Sequence, residues 1–512
     1  MITGTETTKS TKKVIYDAEA TPTAASRSPI LPRCRQSSDA PGVCSNRSAA
    51  TVSSSGDVWA TGHRKGESSS LPLTMLDESL LLLQETRASW NVQFELGTDH
   101  HLDETRLRQA VLSSCQRHPL ARARLTRSPQ GETSYQWDFT DEVDLDPFRV
   151  ADCPDSAALD QLRTELYSSP IALDTTPGFR VVLARRPSGD LVLLSASHIV
   201  ADGVGALRLM QTITRTYRGE PDPPDPLPLD QARDLGPCLA PKTRSEKWAR
   251  RLEGLRRLRE ALDPPSRIAV VGDTGRGDSG FVFRTLDIGE ATTPELVRRA
   301  PGTTVNDVLL AALHLTVQSW NTKHGASTGR VGVQMPVNVR PADRLWEVVS
   351  NLTSMVSVST APSDRVDLPT AVAAVAKQTY RRRRNDRAYG LYDLLEGTKR
   401  APLTVKRAVP RLIHLTGDRL VDTAMLSNLG RIPEPPTLTA RPDSKPLEVW
   451  FSPPCDPACS VAIGVATNGQ RLALVTRYRY EQFDADAAEE FTNLLITQIA
   501  HQHKTLPLRC LP

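Results

Sequence analysis

The chain contains 512 residues, carries a formal net charge of +4 at pH 7 and is 39% hydrophobic. This length exceeds what one small core accommodates, so two domains with appended segments are predicted. The low net charge argues against nucleic-acid binding. Because we find no apolar run long enough to span a bilayer and no signal-peptide core, we expect a cytoplasmic protein without a transmembrane segment.

Residues 1–70 differ in composition from the rest of the chain. They are rich in Ser, Thr, Pro and charged residues, and they show no sustained apolar periodicity. A segment of this kind cannot bury enough apolar surface to offset the entropy of ordering it. We therefore expect a disordered leader.

The segment 191–210, LVLLSASHIVADGVGALRLM, contains the strongest functional pattern of the chain. Residues 191–196 predict a buried strand, and the apolar positions that follow Gly203 at helical spacing predict a helix. His198, Asp202 and Gly203 would then lie on a tight strand-to-helix connection. The pattern His-x-x-x-Asp-Gly would arise by chance on the order of 0.04 times in such a chain. This low expectation, together with the predicted strand and helix on either side, favours a functional motif.

The chemistry of these residues allows two interpretations. An imidazole titrates near neutral pH, so His198 can remove a proton from a hydroxyl or amine that attacks an acyl carbon. Asp202 followed by Gly203 suits a turn fixed by a buried ion pair or by backbone hydrogen bonds. The alternative is that His198 is a core histidine with satisfied hydrogen bonds and that Asp202 only caps the helix.

A proline-dense segment, EPDPPDPLPLD at 220–230, divides the folded part of the chain. Proline at this density excludes helix and strand. We expect an N-terminal half at 71–219, a linker with a basic helix at 220–264 and a C-terminal half at 265–512. Mixed strand and helix patterns on both sides of the linker indicate two α/β halves.

The basic helix is predicted within 244–262, RSEKWARRLEGLRRLREAL. Its apolar stripe consists of Trp248, Leu252, Leu255 and Leu258. Such a helix can lie on an anionic membrane or bind an acidic carrier protein, but the plainer interpretation is a solvated charged face over a packed apolar stripe. A shorter basic run at 380–387, YRRRRNDR, could meet a phosphate.

Several polar residues of the C-terminal half are candidate pocket residues. Thr304 and Asp307 form a T-x-x-D pattern, which indicates a helix cap more strongly than a catalytic group. Arg340 is either a surface residue or the partner of a buried Asp202. Ser427 and Asn428 can donate hydrogen bonds to an oxyanion, although Asn-x-Gly is also ordinary turn chemistry.

Cysteine usage gives little indication of function. The eight cysteines show no framework spacing, so no disulfide scaffold is expected. Cys455 and Cys459 with His501 and His503 match no standard zinc spacing, and we expect no metal site. We find no phosphate-binding loop, dinucleotide fingerprint or nucleophile elbow, so no prosthetic group is expected.

The motif resembles that of the chloramphenicol acetyltransferase-like superfamily of thioester-dependent acyltransferases. This superfamily includes condensation domains of nonribosomal peptide synthetases, polyketide-associated acyltransferases and wax ester synthase/diacylglycerol acyltransferases. SHIVADG at 197–203 matches the hallmark His-His-x-x-x-Asp-Gly except that Ser197 replaces the first histidine. Residues 102–125, 303–313, 331–344 and 425–432 resemble other family segments in the family's order. The resemblance begins near Met75, so we expect the leader to be an upstream extension or the result of a misassigned start.

The resemblance implies an α/β (α+β) fold of two halves, each a mixed sheet flanked by helices, with a tunnel between them. His198 would be the catalytic base at the tunnel centre, and Asp202, Gly203 and Arg340 would shape its loop. The possible pocket residues are Ser197, Asn306, Asp307, Ser427 and Asn428.

Three functions follow from this resemblance. The first is a stand-alone acyltransferase of secondary or lipid metabolism, which uses a coenzyme A or carrier-protein thioester and an alcohol or amine acceptor. The second, suggested by VNDVLL at 305–310, is a wax ester or diacylglycerol synthase. The third is a catalytically silent scaffold that binds a carrier protein. An intact His198 and Gly203 argue against the scaffold.

Overall fold

The computed structural model describes residues 70–84, 90–127, 134–225, 227–236, 240–241, 243–260, 262–272, 279–287, 303–341, 348–384, 397, 401–408, 419, 421–439, 448–455 and 459–500. The predicted disordered leader therefore lies outside the described residues except at Ser70. Ser70, the last residue assigned to the leader, instead begins a strand.

The described residues form a mixed α/β structure, as predicted. The helices are α1 (Met75–Gln84), α2 (Glu104–Arg117), α3 (Ser156–Ser168), α4 (Gly203–Arg218), α5 (Leu229–Arg233), α6 (Arg244–Glu260), α7 (Val305–Lys323), α8 (Leu368–Arg384) and α9 (Ala485–Ala500). The strands are β1 (Ser70–Pro72), β2 (Asn91–Gly97), β3 (Ala123–Arg127), β4 (Tyr135–Phe139), β5 (Phe148–Asp152), β6 (Phe179–Arg185), β7 (Leu191–Ser197), β8 (Ser279–Asp287), β9 (Val331–Asn338), β10 (Thr353–Thr360), β11 (Ala424–Arg431), β12 (Glu448–Ser452), β13 (Val461–Asn468) and β14 (Arg471–Arg479).

The N-terminal half is built on a five-stranded sheet with the order β12-β2-β7-β6-β5. Its neighbours are antiparallel except β5 and β6, which are parallel, so the sheet is mixed. β7 is buried along its whole length, which explains its nearly continuous apolar sequence. Helix α4 packs into the same core through residues such as Leu207 and Ile213, which are fully buried.

The C-terminal half is built on a six-stranded sheet with the order β10-β9-β11-β13-β14-β8. β11 runs parallel to both β9 and β13, whereas the other pairs are antiparallel. Its core includes α7 and α9. Trp320 of α7, Phe491 of α9 and Phe483 just before α9 form edge-to-face and tilted ring contacts. The prediction of two halves with mixed sheets is thus confirmed.

Strand β12 crosses between the two halves. It follows β11 in the chain, yet it pairs antiparallel with β2 at the edge of the N-terminal sheet, with Phe451 opposite Phe94. A Cβ at Gly464 would lie 2.2 Å from the Phe451 carbonyl oxygen, so this glycine lets β12 pass close to β13. The predicted C-terminal half at 265–512 therefore contains a strand that completes the other sheet.

The predicted linker is packed against the N-terminal half. The described prolines of 221–225 lie outside helices and strands, but α5 begins at Leu229, so the exclusion of helix from 220–230 was wrong at the last two residues. Asp222 and Asp225 each bind arginines. Arg208 Nη2 lies 2.6 Å from Asp222 Oδ2, and Arg117 Nη1 lies 2.9 Å from Asp225 Oδ2. Because α4 and α2 carry these arginines, the segment is held along the helices and is not a free connector.

Helix α6 exposes the two residues of its apolar stripe whose side chains the structure describes. Trp248 and Leu252 are 62% and 60% exposed, whereas Arg250 is 3% exposed. The side chains of Leu255 and Leu258, and those of the second basic run beyond Arg381, lie outside what the structure describes. The expectation of an apolar stripe packed beneath a solvated face was therefore wrong at the two described positions.

Candidate active site

His198 lies on the predicted strand-to-helix connection. β7 ends at Ser197 and α4 begins at Gly203, which confirms both elements. The His198 backbone N–H donates to the Trp90 carbonyl at 2.8 Å, and the Ala201 N–H donates to the Ser197 carbonyl at 3.0 Å. These bonds fold residues 198–201 into a turn against the N-terminal sheet, where His198 is 6% exposed.

The motif glycine allows this loop to approach the crossing strand. A Cβ at Gly203 would lie 2.9 Å from Leu429 Cδ2 and 3.0 Å from Phe451 Cε2. Leu429 belongs to β11 and Phe451 to β12, so the loop contacts residues from the C-terminal part of the chain. A larger residue at 203 would require these side chains to move.

Asp202 caps α4 and forms a buried ion pair at the same time. Its Oδ1 accepts from the Gly205 N–H at 2.8 Å, and its Oδ2 accepts from the Leu352 N–H and the Thr353 hydroxyl, each at 2.8 Å. Arg340 Nη1 and Nη2 reach Oδ2 and Oδ1 at 2.6 and 2.8 Å. Burial favours the protonated carboxyl, but Arg340 and these hydrogen bonds outweigh it and lower the pKa of Asp202.

Arg340 also holds the segment that precedes β10. Its Nη2 donates to the carbonyls of Ser350 at 2.8 Å and Val348 at 3.3 Å. The Asp202 backbone N–H donates to the same Ser350 carbonyl at 3.3 Å. Asp202 and Arg340, the predicted partners, therefore lie together. Arg340 joins the motif loop (residues 198–202), the end of β9 and the segment before β10.

A second buried ion pair, between Asp77 of α1 and Arg233 of α5, lies beside the first. Arg233 Nε donates to the Ser350 hydroxyl at 3.2 Å, so both pairs contact Ser350. Burial raises the pKa of Asp77 despite the charge of Arg233. Sequence reasoning missed this pair: Thr74-x-x-Asp77 is a recognisable helix start, but nothing local marks Arg233 as its partner.

The environment of His198 favours the neutral imidazole. Burial lowers the pKa of His198, and the negative charges of Asp202 and Asp77 oppose that shift without cancelling it. Trp90 contacts the imidazole edge to face, with 6.5 Å between ring centroids. Nδ1 is buried and has no hydrogen-bond partner in the part of the chain that the structure describes. At neutral pH this histidine can therefore accept a proton.

Ser197, which occupies the position of the first motif histidine, is 1% exposed. It pairs with Asn91 of β2 in the sheet register. Its hydroxyl has no hydrogen-bond partner among the described residues. Ser197 is thus buried directly before His198.

The candidate residues of α7 and β11 form a separate group. Asn428 Nδ2 lies 3.4 Å from Asn306 Oδ1, and Asn428 Oδ1 accepts from the Gly430 N–H at 2.8 Å. Asp307 forms a capping box with Thr304 and accepts from the Thr379 hydroxyl at 2.6 Å, so it acts as a helix cap. Ser427 is 7% exposed on β11. No hydrogen bond between described residues connects this group to His198.

Cys455 and Cys459 are buried next to each other, with the Cys455 thiol 3.3 Å from the Cys459 carbonyl. His501 and His503, their candidate zinc partners, lie outside the described residues. Among the described side chains, no group of three or more His, Cys, Asp or Glu could hold a metal ion.

Two mixed sheets, the first of which is completed by a strand from the C-terminal part of the chain, and a buried histidine on the loop beside that strand define a condensation-type α/β fold. A family model for the condensation domain matches residues 72–405. The chain belongs to the condensation-domain family. Structures similar to it include the cyclization-docking bidomain of EpoB from Sorangium cellulosum, with a TM-score of 0.58 and 17% identity over 84% of this chain and 85% of that one. The first condensation domain of the calcium-dependent antibiotic synthetase has a TM-score of 0.61 and 14% identity over 84% and 95%.

Two sequence relatives extend the comparison. An uncharacterized protein of Mycobacterium tuberculosis strain H37Rv, Rv2305, is 34% identical over 386 residues, which are 75% of this chain and 88% of that protein. Tyrocidine synthase 3 of Brevibacillus parabrevis is 31% identical over 153 residues, which are 29% of this chain and 2% of that protein.

Within the described residues, no helix combines the length and the apolar character that a membrane crossing needs.

Proposed function

We propose that this protein is an acyltransferase that moves an acyl group from a thioester to a hydroxyl or amine, with His198 as general base. One observation supports this most directly. The imidazole of His198 is buried and held neutral on a loop that the Asp202–Arg340 pair fixes. A neutral imidazole accepts a proton, whereas an imidazolium cannot.

In the proposed first step, a hydroxyl or amine lies within hydrogen-bond distance of His198 Nε2. The neutral tautomer with a bare Nε2 carries its proton on Nδ1. Nε2 takes the acceptor's proton as its oxygen or nitrogen forms a bond to the thioester carbonyl carbon. The product of this step is a tetrahedral oxyanion next to an imidazolium.

In the second step, the oxyanion re-forms the carbonyl and the carbon–sulfur bond breaks. The imidazolium returns its proton to the leaving thiolate, so an ester or amide and a free thiol are released. Asp202 and Arg340 position the loop and do not contact the substrate. Ser197, Asn306, Ser427 and Asn428 are the candidate polar contacts of the pocket.

The donor is a thioester of coenzyme A or of a carrier protein, and the reaction needs no prosthetic group. The structural relatives include domains of nonribosomal peptide synthetases, which favours a carrier-bound donor. We place the reaction in the cytoplasm, in secondary or lipid metabolism. In this proposal the two substrates enter a tunnel between the halves from opposite ends.

Thiol release tests this proposal. Purified wild type, His198→Ala and His100→Ala are incubated with acyl-coenzyme A donors or acyl carrier proteins and with pooled alcohols and amines. His100 is a matched control because its side chain is 42% exposed. We expect acceptor-dependent release from wild type and His100→Ala. In the His198 variant kcat/KM should fall by about 10²–10⁴.

Two results would contradict the proposal. Release by His198→Ala at the wild-type rate would exclude the general-base role. No release by well-folded wild type across the whole panel, together with binding of a carrier protein, would instead favour a silent scaffold.

A further inference from the structure

One face of helix α6 carries exposed basic and apolar side chains and no described acidic one. Arg244, Lys247 and Arg251 are exposed, as are Trp248 and Leu252. At about 100° per residue, these five positions fall within an arc of roughly 140°. The face, here called the α6 basic face, therefore combines three cations with two large apolar side chains.

Glu246, the acidic residue within 244–252, is turned away from the α6 basic face. Glu246 accepts a hydrogen bond from Arg250 at 2.6 Å, and Arg250 is buried. No described carboxylate forms an ion pair with Arg244, Lys247 or Arg251. The outward face therefore keeps its positive charge, while Arg250 is buried on the inner side of the helix.

Trp248 and Arg251 are arranged as a pair. The Arg251 guanidinium carbon lies 5.8 Å from the centroid of the Trp248 ring, within the range of a cation–π contact. Leu252 follows one turn after Trp248 and is equally exposed. Single exposed apolar side chains are common, but an exposed tryptophan and leucine flanked by unneutralised cations are characteristic of surfaces that bind an amphipathic partner.

We propose that the α6 basic face binds the surface of an anionic lipid bilayer. Tryptophan is favoured at the level of lipid head groups, where its ring is partly buried and its N–H stays hydrated. Arginine and lysine beside it are attracted to anionic lipids. The helix lies on the surface in this arrangement and does not cross the bilayer, in agreement with its basic sequence.

The chemistry of this face fits a bilayer. Its cations match anionic head groups, and Trp248 and Leu252 match the region where head groups meet acyl chains. A bilayer needs no matching pocket, because each apolar side chain inserts independently between head groups. Binding of this kind would be reversible and would weaken with salt.

Vesicle sedimentation with the full chain tests the proposal. The vesicles contain phosphatidylcholine alone or phosphatidylcholine with about one-third phosphatidylglycerol. We expect wild type to sediment with the phosphatidylglycerol vesicles and to be released at high salt. The double variant Trp248→Ser, Leu252→Ser should bind at least about tenfold more weakly. Leu145→Ser is the matched control, because Leu145 is 61% exposed elsewhere on the surface.

Charge is tested separately with Lys247→Glu and Arg251→Glu, which should also reduce sedimentation with phosphatidylglycerol vesicles. Neither set of variants should change thiol release from a water-soluble donor, so failure here is distinguishable from failure of the proposed reaction. The proposal is overturned if wild type ignores both vesicle types or if the double variant sediments like wild type. It is also overturned if these residues are needed to bind a purified acyl carrier protein but not vesicles.

Discussion

Arg340 binds both carboxylate oxygens of Asp202, at 2.6 and 2.8 Å, and each side chain is 1% exposed. Arg340 lies two residues after the end of β9, and Asp202 caps α4. The pair therefore joins the C-terminal sheet to the loop that carries His198. A buried ion pair of this kind is costly to break from one side, because the remaining charge has no solvent to stabilise it.

Asp202→Ala should lower the free energy of unfolding by about 3–5 kcal/mol, since it leaves Arg340 buried without a counter-ion. It also removes the cap on the Gly205 N–H. Urea unfolding measures the loss, and a reduced soluble yield should accompany it. Arg149→Ala is the control, because Arg149 and Glu165 are 2.9 Å apart but 47% and 59% exposed. This surface change should cost less than about 1 kcal/mol. Equal losses in the two variants would contradict a structural role for the buried pair.

The pH dependence of kcat/KM should reflect the neutral state of His198. The ordinary pKa of a histidine is 6.5, and burial lowers that of His198. The base form therefore persists as the pH falls below 6.5, and activity should decline only in a more acidic range. The measurement is the acid limb of kcat/KM with a donor that does not titrate there. A midpoint at or above pH 6.5 would show that His198 is not the group whose protonation stops the reaction.

The local geometry of the candidate site was predictable, because adjacent residues determine it. An apolar run followed by helical periodicity predicted β7 and α4, and the Asp-Gly pair predicted the turn between them. The capping role of Asp307 also followed from a local pattern. The ion pair between Asp202 and Arg340 needed the family comparison, since 138 positions separate the two residues.

The remaining features depend on packing between distant segments. Arg233 pairs with Asp77 across 156 positions, and no periodicity connects a short helix after a proline run with α1. β12 has an ordinary strand sequence, so nothing in it indicates that it completes the N-terminal sheet. Helical spacing identified the apolar stripe of α6, but spacing alone cannot tell whether a stripe faces a core or solvent.

Buried His314 should make the protein less stable in acid. Burial lowers the pKa of His314 to about 3, whereas an unfolded chain binds the proton near 6.5. Between these values the unfolded state takes up more protons, so stability present above pH 6.5 is lost as the pH falls. Urea unfolding at pH 7 and pH 5 should show a contribution of about 2 kcal/mol from this residue.

His314→Asn isolates that contribution. His118 and His198 are also buried with lowered pKa values, and they remain in the variant, so the comparison removes one titrating group only. The loss of stability between pH 7 and pH 5 should be smaller than in wild type by about 2 kcal/mol. An unchanged pH dependence would mean that His314 becomes protonated in the folded protein well above pH 3.

Gly205→Ala should damage the contact between the first turn of α4 and the segment that contains Ser350. A Cβ at this position would lie 2.8 Å from the Ser350 carbonyl oxygen, which already accepts from Arg340 and from the Asp202 backbone. Because a backbone atom cannot rotate away, the change should cost about 1–3 kcal/mol and lower thiol release together with stability. Gly329→Ala is the control, since its Cβ would meet only the Ser266 hydroxyl, at 3.5 Å. A Gly205→Ala variant with wild-type stability would show that the Ser350 segment can move away from α4 without a loss of stability. The contact of Ser350 with both ion pairs would then not be needed to stabilise this region.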